Sequence, residues 1–308
     1  MAPILHESVV VSRRNKPILI GGCHRSGTSL VRRILNAHSR IHCGPEVKFF
    51  RDFHNDYLED PIRHLRFMTT ARRILPKSEL LDVLGRAFIT LHERAAARAG
   101  KPRWADKNPE NVLYLEEWQR LIGDGWVLVH VVRNPLDTLA SIQEIGFPRT
   151  IPVELEARIA HYKRYTQAGL DFGSLHPERY YRVVYEQLVS QPEPVISTLM
   201  TWLGEDFEPV QLDFNSLQHQ RGMEDPKVRE TTAVHAESVG RWRELLTSSE
   251  AAQIARECDP LWQRISNDID HGSQYPKRWL FWGPGSWTER FWPRVRIAGQ
   301  KEEQEKEP

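Results

Sequence analysis

The densest cluster of ligand-type side chains falls in residues 17–31, PILIGGCHRSGTSLV, where Arg25, Ser26, Thr28 and Ser29 crowd around Gly27. Hydroxyls and the free backbone N–H groups at a helix start can surround phosphate oxygens, and Arg25 adds a forked cationic donor. The apolar run before the cluster and the apolar-periodic run after it predict a strand, an anion-binding turn and a helix. Gly22 and Gly27 are spaced almost as in the nucleotide-binding loop G-x-x-x-x-G-K-[ST]. Thr28, however, stands where that loop has its lysine, which disfavours an ordinary ATP or GTP hydrolase. On these residues alone a plain glycine-serine turn is the alternative.

Two further polar loops follow apolar runs. In WADKNPENV, Asp106, Lys107 and Asn108 stand at a strand-to-helix junction, with Pro109 at the helix start. In WVLVHVVRNPLDTLAS, a run with the continuous apolarity of a strand buried on both faces turns at Arg133 into a helix carrying Ser141. A short strand at 41–43 ends at Gly44-Pro45, and residues 46–51 leave the sheet edge with Glu46 at their head, a good place for a functional side chain. Taken singly, Arg133 reads as a surface ion-pair residue, Ser141 as a helix serine and Glu46 as a charge complementing a helix dipole.

The elements that must position these loops are legible as strands at 18–22, 41–43, about 103–107, 126–132 and 180–185, alternating with helical patterns. Helices are expected at 26–37, within 61–99 with Ser78 as cap, at 152–172, and at 186–203 with an interruption near Pro192 and Pro194 and a stop at Gly204. Such alternation predicts a parallel sheet wrapped on both faces, with ligands at the carboxyl ends of its strands. Thr247 to Glu250 forms a capping-box pattern before a helix reaching about residue 269. One domain accounts for the chain, with an N-terminal extension at 1–16. A tryptophan-rich segment at 271–300 is expected to pack over the sheet rather than touch a membrane surface, and residues 301–308 form a solvated tail.

The totals bound the rest. The 308 residues carry a net charge of +1, which offers no field for broad nucleic-acid binding. Three cysteines without a C-x-x-C pair argue against a disulfide framework or zinc knuckle. The N-terminus lacks the pattern of a secretory signal, so a cytoplasmic location is the expectation.

With GGCHRSGTSLV, DKNP and VVRNPLDTLAS in this order, each at a strand end, the chain resembles the sulfotransferases that use 3′-phosphoadenosine 5′-phosphosulfate (PAPS). Within that family it is most similar to the protein-tyrosine sulfotransferases and their bacterial relatives. The likeness runs from about residue 18 to 204 and resumes at SVGRW. It implies a P-loop-like central parallel sheet flanked by helices on both faces, the sulfotransferase fold. It also implies PAPS as donor, adenosine 3′,5′-bisphosphate (PAP) as product, no metal, and a hydroxyl-bearing acceptor.

By position, the resemblance assigns Arg25, Ser26, Gly27, Thr28 and Ser29 to the donor's 5′-phosphosulfate. It assigns Arg133 and Ser141, two helical turns apart, to its 3′-phosphate. Glu46 falls where the family has its catalytic base, and Lys107 where it has the lysine that neutralises charge on the transferring group, a task Arg25 shares. Tyr185 resembles a tyrosine beside the donor, and Ser238 and Arg241 a late segment folding over the nucleotide. The chain departs from the family at His24, usually proline there. It departs from the tyrosine-specific relatives at Pro45, where they have a second acid, and at Lys48, where they have arginine. The acceptor is therefore open between peptide tyrosine, a carbohydrate and a lipid or small alcohol. The rival readings are a nucleotide-dependent kinase and a nucleotide-binding protein without catalysis.

Overall fold

The computed structural model describes residues 13–58, 66–146, 150–214, 234 and 236–269. Five strands form one parallel sheet in the order β2-β3-β1-β4-β5: β1 (Ile18–Gly21), β2 (Ile41–Cys43), β3 (Arg103–Lys107), β4 (Val127–Val132) and β5 (Tyr180–Val184). Ile18 pairs with both Ala105 and Val127, and Leu128 with Tyr180. The chain runs from β1 out to the edge strand β2, returns through β3, and then crosses to β4. The carboxyl end of β1 is thus the point where strand order reverses, where such sheets open a crevice.

Alternate residues of the strands face opposite layers, as a period of two dictates. Ile18, Ile20, Val127, Val129 and Val131 pack against Leu30 and Ile34 of α1 (Thr28–Ala37). The same layer takes Leu188 of α8 (Tyr185–Ser190) and Leu199 of α9 (Pro192–Leu203). Leu19, Leu128 and Val132 face the other layer. It holds Phe50 of α2 (Phe49–His54), Met68 of α3 (Arg66–Ala71), Phe88 of α4 (Lys77–Arg98) and Trp118 of α5 (Leu115–Ile122). It also holds Leu139 of α6 (Pro135–Ile145), Tyr162 of α7 (Leu155–Leu175) and Trp262 of α11 (Ser248–Ile269). A single turn, α10 (Trp242–Leu245), lies against α6.

Several expected boundaries move. The helix expected within 61–99 is two helices, α3 and α4, and Pro76 rather than Ser78 precedes α4. Proline disfavours helical angles in the residue before it, so the helix restarts there instead of running through. Residues 59–65 lie outside the described residues. The helix expected at 152–172 is α7, shifted by three residues at each end. The interruption after 186 falls at Gln191, Pro192 opens α9, and Gly204 closes it in the left-handed region. The capping box forms as read: Thr247 N–H donates to Glu250, and Glu250 N–H to Thr247 Oγ1 at 3.2 Å. Residues 1–12 and the tryptophan-rich segment and tail lie outside the described residues. Among the described residues no helix is long and apolar enough to cross a membrane.

Candidate functional site

The first loop leaves β1 at the switch point and is held there by backbone geometry. Gly22 has φ 149° and passes so near β4 that a Cβ would collide with the Val131 carbonyl. Gly27, at φ 97°, lies flat against the Tyr185 ring. Arg25 also takes a positive φ, 69°, rarely adopted by a residue with a side chain. No side chain caps α1 and its first turn holds no acid, so the positive end of the helix faces the loop without a built-in counter-charge. Ser26 Oγ is buried and has no hydrogen-bond partner.

Two segments converge on this loop from β2 and β3. Lys107 ends β3, fully buried, and its ammonium donates to Ser29 Oγ at 3.0 Å and to Glu46 Oε1. Lys48 donates to the other Glu46 oxygen at 2.7 Å. Burial pushes the Glu46 carboxyl up, but Lys107 and Lys48 outweigh it and hold the group below its usual value. The β2 loop is pinned from both sides. Arg32 of α1 donates to the carbonyls of Cys43 and Gly44 at 3.0 and 3.1 Å, and Asn108 to that of Val47 at 3.0 Å. Asp106 fixes Asn108 and Asn111 in turn, with bonds of 2.9 and 2.8 Å to its Oδ2.

The third loop draws together Arg133, Ser141, Arg25, Tyr185 and Ser238. Arg133 donates to the Arg25 carbonyl at 2.9 Å and the Ser238 carbonyl at 2.6 Å, and its guanidinium lies 4.5 Å from the Tyr185 ring centroid. Arg25 Nε donates to Ser141 Oγ at 3.1 Å, so Arg25 stands between the two residues expected to share a phosphate. Asp137 accepts from the N–H groups of Gly240 and Trp242, at 2.8 and 3.1 Å, which ties the SVGRW segment to α6. Arg241 pairs with Glu144 at 2.8 Å in a part-exposed contact. Arg25, Ser26, Gly27, Thr28, Ser29, Glu46, Lys107, Arg133, Ser141, Tyr185 and Ser238 are therefore one constellation, whereas the Arg241 side chain is turned to Glu144.

Two buried acids escaped the sequence reading. Glu186 accepts from Asn134 N–H at 2.9 Å beside Arg133, and burial raises its carboxyl to about 7. Glu110 accepts from Lys48 at 3.1 Å and Arg51 at 2.8 Å, with His24 Nε2 3.4 Å away. His24 Nδ1 also lies 3.2 Å from His161 Nε2, and burial lowers both imidazoles, His161 to about 3. Glu110 follows Pro109 at a helical turn, so in sequence it passes for an ordinary first-turn acid. Among the described residues no group of three or more His, Cys, Asp and Glu could hold a metal ion.

A five-stranded parallel sheet with a glycine-bounded, hydroxyl-rich loop at its switch point defines a P-loop-like α/β protein. Residues 17–209 match the sulfotransferase family, and the chain belongs to it. It is an enzyme of sulfuryl transfer. A Caenorhabditis briggsae protein described as a “Putative protein-tyrosine sulfotransferase” is 25% identical over 219 residues, 68% of this chain and 72% of its own. An uncharacterized protein of Aquifex aeolicus (strain VF5) is 24% identical over 239 residues, 74% of this chain and 30% of its own. In structure, the sulfotransferase domain of the Synechococcus PCC 7002 olefin synthase superposes with TM-score 0.55 at 19% identity, covering 78% of this chain and 93% of that one. The sulfotransferase domain from the curacin biosynthetic pathway does so with TM-score 0.55 at 21% identity, covering 80% and 97%. These likenesses establish the sulfotransferase fold.

Proposed function

We propose that the chain moves a sulfuryl group from PAPS to an acceptor hydroxyl and releases PAP. The observation that carries this reading is the Lys107 ammonium, which touches Ser29 of the anion loop and Glu46 of the β2 loop at once. One cation thus joins the place for a donor oxyanion to the place for a base. The residues fit the donor: the buried, partnerless Ser26 hydroxyl and the uncapped start of α1 want an anion. Arg25, Ser26, Gly27, Thr28 and Ser29 would hold the 5′-phosphosulfate. Arg133 and Ser141, joined by Arg241, would hold the 3′-phosphate, with Tyr185 and the Ser238 segment beside the nucleotide.

When bound, PAPS supplies the sulfuryl group and a phosphate leaving group. Glu46, held ionised by its lysines, takes the proton of the acceptor hydroxyl. Lys107 balances charge gathering on the leaving side, joined by Arg25 as it turns from Ser141. The acceptor belongs to one of three classes: peptide tyrosine, carbohydrate, or lipid or small alcohol. The name of the nematode relative favours the first, while Pro45 and Lys48 depart from the tyrosine-specific pattern.

The test is transfer from sulfur-labelled PAPS to a panel drawn from these three classes, with Glu46→Gln alongside. Wild type should label one class, and the variant should lose transfer while still binding PAP. A variant that transfers at the wild-type rate would remove Glu46 from the mechanism. A purified protein that binds PAP but labels nothing, however broad the panel, would support a binding role.

A further inference from the structure

Both oxygens of the Glu46 carboxylate face ammonium groups, Lys107 on Oε1 and Lys48 on Oε2. A carboxylate neutralised twice over is a poor proton acceptor, so its basicity depends on one cation letting go. Lys107 is confined: its side chain is fully buried and also bonded to Ser29 on the donor side. Lys48 is not. Its Nζ already donates to a second carboxylate, lying 3.1 Å from one oxygen of Glu110 and 3.3 Å from the other.

Glu110 is built to stay in place. Its side chain is 2% exposed, Arg51 Nη1 donates to it at 2.8 Å, and Arg51 is itself fixed on the Asp56 carbonyl at 2.9 and 2.6 Å. The groups facing Glu110 are Lys48 and Arg51 from the segment after β2 and His24 from the first loop, with Tyr57, Tyr114 and, from α7, Tyr165 and His161 close by. Those facing Glu46 are Lys107 from β3 and Lys48. Without Glu110, a Lys48 that left Glu46 would be a largely buried ammonium with no counter-charge.

We propose that Lys48 is a movable bracket and Glu110 its second seat. As an acceptor hydroxyl reaches Glu46 Oε2, Lys48 shifts its hydrogen bonds onto Glu110. Glu110 is thereby a positioning residue for proton transfer to Glu46, an inference that rests on Glu46 being the base.

The test is a titration of the Glu46 carboxyl by 13C NMR in the full chain labelled at glutamate, assigned with Glu46→Gln. It uses no donor, acceptor or turnover, so its failure is separate from any failure of the sulfuryl-transfer reading. In Glu110→Gln, Lys48 belongs to Glu46 alone and the midpoint moves further down. In Lys48→Met it moves up, and in Lys48→Arg it stays near wild type. With Lys48 already replaced by methionine, adding Glu110→Gln moves the midpoint much less than it does in wild type. A merely structural Glu110 would loosen the loop and let the midpoint rise toward its usual value. That rise, or equal shifts in the two backgrounds, overturns the proposal. If Glu110→Gln does not fold, Lys48→Met decides: an unmoved midpoint shows that Lys48 is no bracket.

Discussion

Replacing Gly27 by alanine strains the loop in two ways at once. The residue sits at φ 97°, in the left-handed region, where a side chain costs about 1–2 kcal/mol. The new methyl carbon would lie 2.5 Å from Tyr185 Cδ2 and 3.0 Å from Cε2, well inside contact distance. The ring has little freedom to retreat, because it is buried and the Arg133 guanidinium covers it at 4.5 Å. Overpacking of this kind costs about 1–3 kcal/mol. The sum, about 3.5 kcal/mol at mid-range, moves the unfolding constant roughly 400-fold. Urea unfolding of Gly27→Ala, Tyr185→Ala and the double variant separates the two contributions. Truncating the ring removes the collision but not the backbone strain, so the double variant should be more stable than additivity allows, by about 1–3 kcal/mol. Strict additivity would show that the ring contact does not constrain this position, and a Gly27→Ala cost below about 0.5 kcal/mol that neither the ring contact nor the positive φ does.

Glu186 gives a pH signature. Its carboxyl is raised by burial to about 7 despite the opposing pull of Arg133. The native state therefore binds this proton more tightly than the unfolded chain does, and stability is lost as pH rises through about 7. Glu186→Gln keeps an acceptor for Asn134 N–H and removes the ionisation. Urea midpoints of variant and wild type should converge toward about pH 4 and separate toward about pH 8, with the variant more stable there by about 3 kcal/mol. Parallel curves would show that Glu186 does not titrate in that range. Arg241→Ala breaks only a part-exposed pair with Glu144 and should change stability by about 0–1 kcal/mol. If Arg241 turns to the 3′-phosphate, the same variant weakens PAP binding about tenfold by titration calorimetry; unchanged affinity leaves it a surface pair.

The sheet was readable because β1 and β4 are buried on both faces and carry apolar runs, broken in β4 only by the buried His130, that end in polar loops. The loop residues were readable as types at strand ends. Their partnerships were not. Lys107 meets Glu46 across 61 positions of sequence only because β2 lies beside β3, with Cys43 level with Ala105. Arg25 between Arg133 and Ser141 follows from a positive φ that no local pattern announces. Glu110 is hidden for a related reason: its partners come from the first loop and the segment after β2, and nothing within its own turn distinguishes it. The break between α3 and α4 had a local signal, Pro76, outweighed by the apolar periodicity that follows it.

On the proposed reading the three loops form a site for a nucleotide bearing a 3′-phosphate. Titration calorimetry with PAP, ADP and ATP, on wild type and Arg133→Ala, tests it most directly and requires no knowledge of the acceptor. PAP should bind selectively, and Arg133→Ala should weaken it about 10- to 100-fold, the worth of one charge-assisted contact of about 1.5–3 kcal/mol. Preference for ATP, or PAP binding indifferent to Arg133, would contradict that reading.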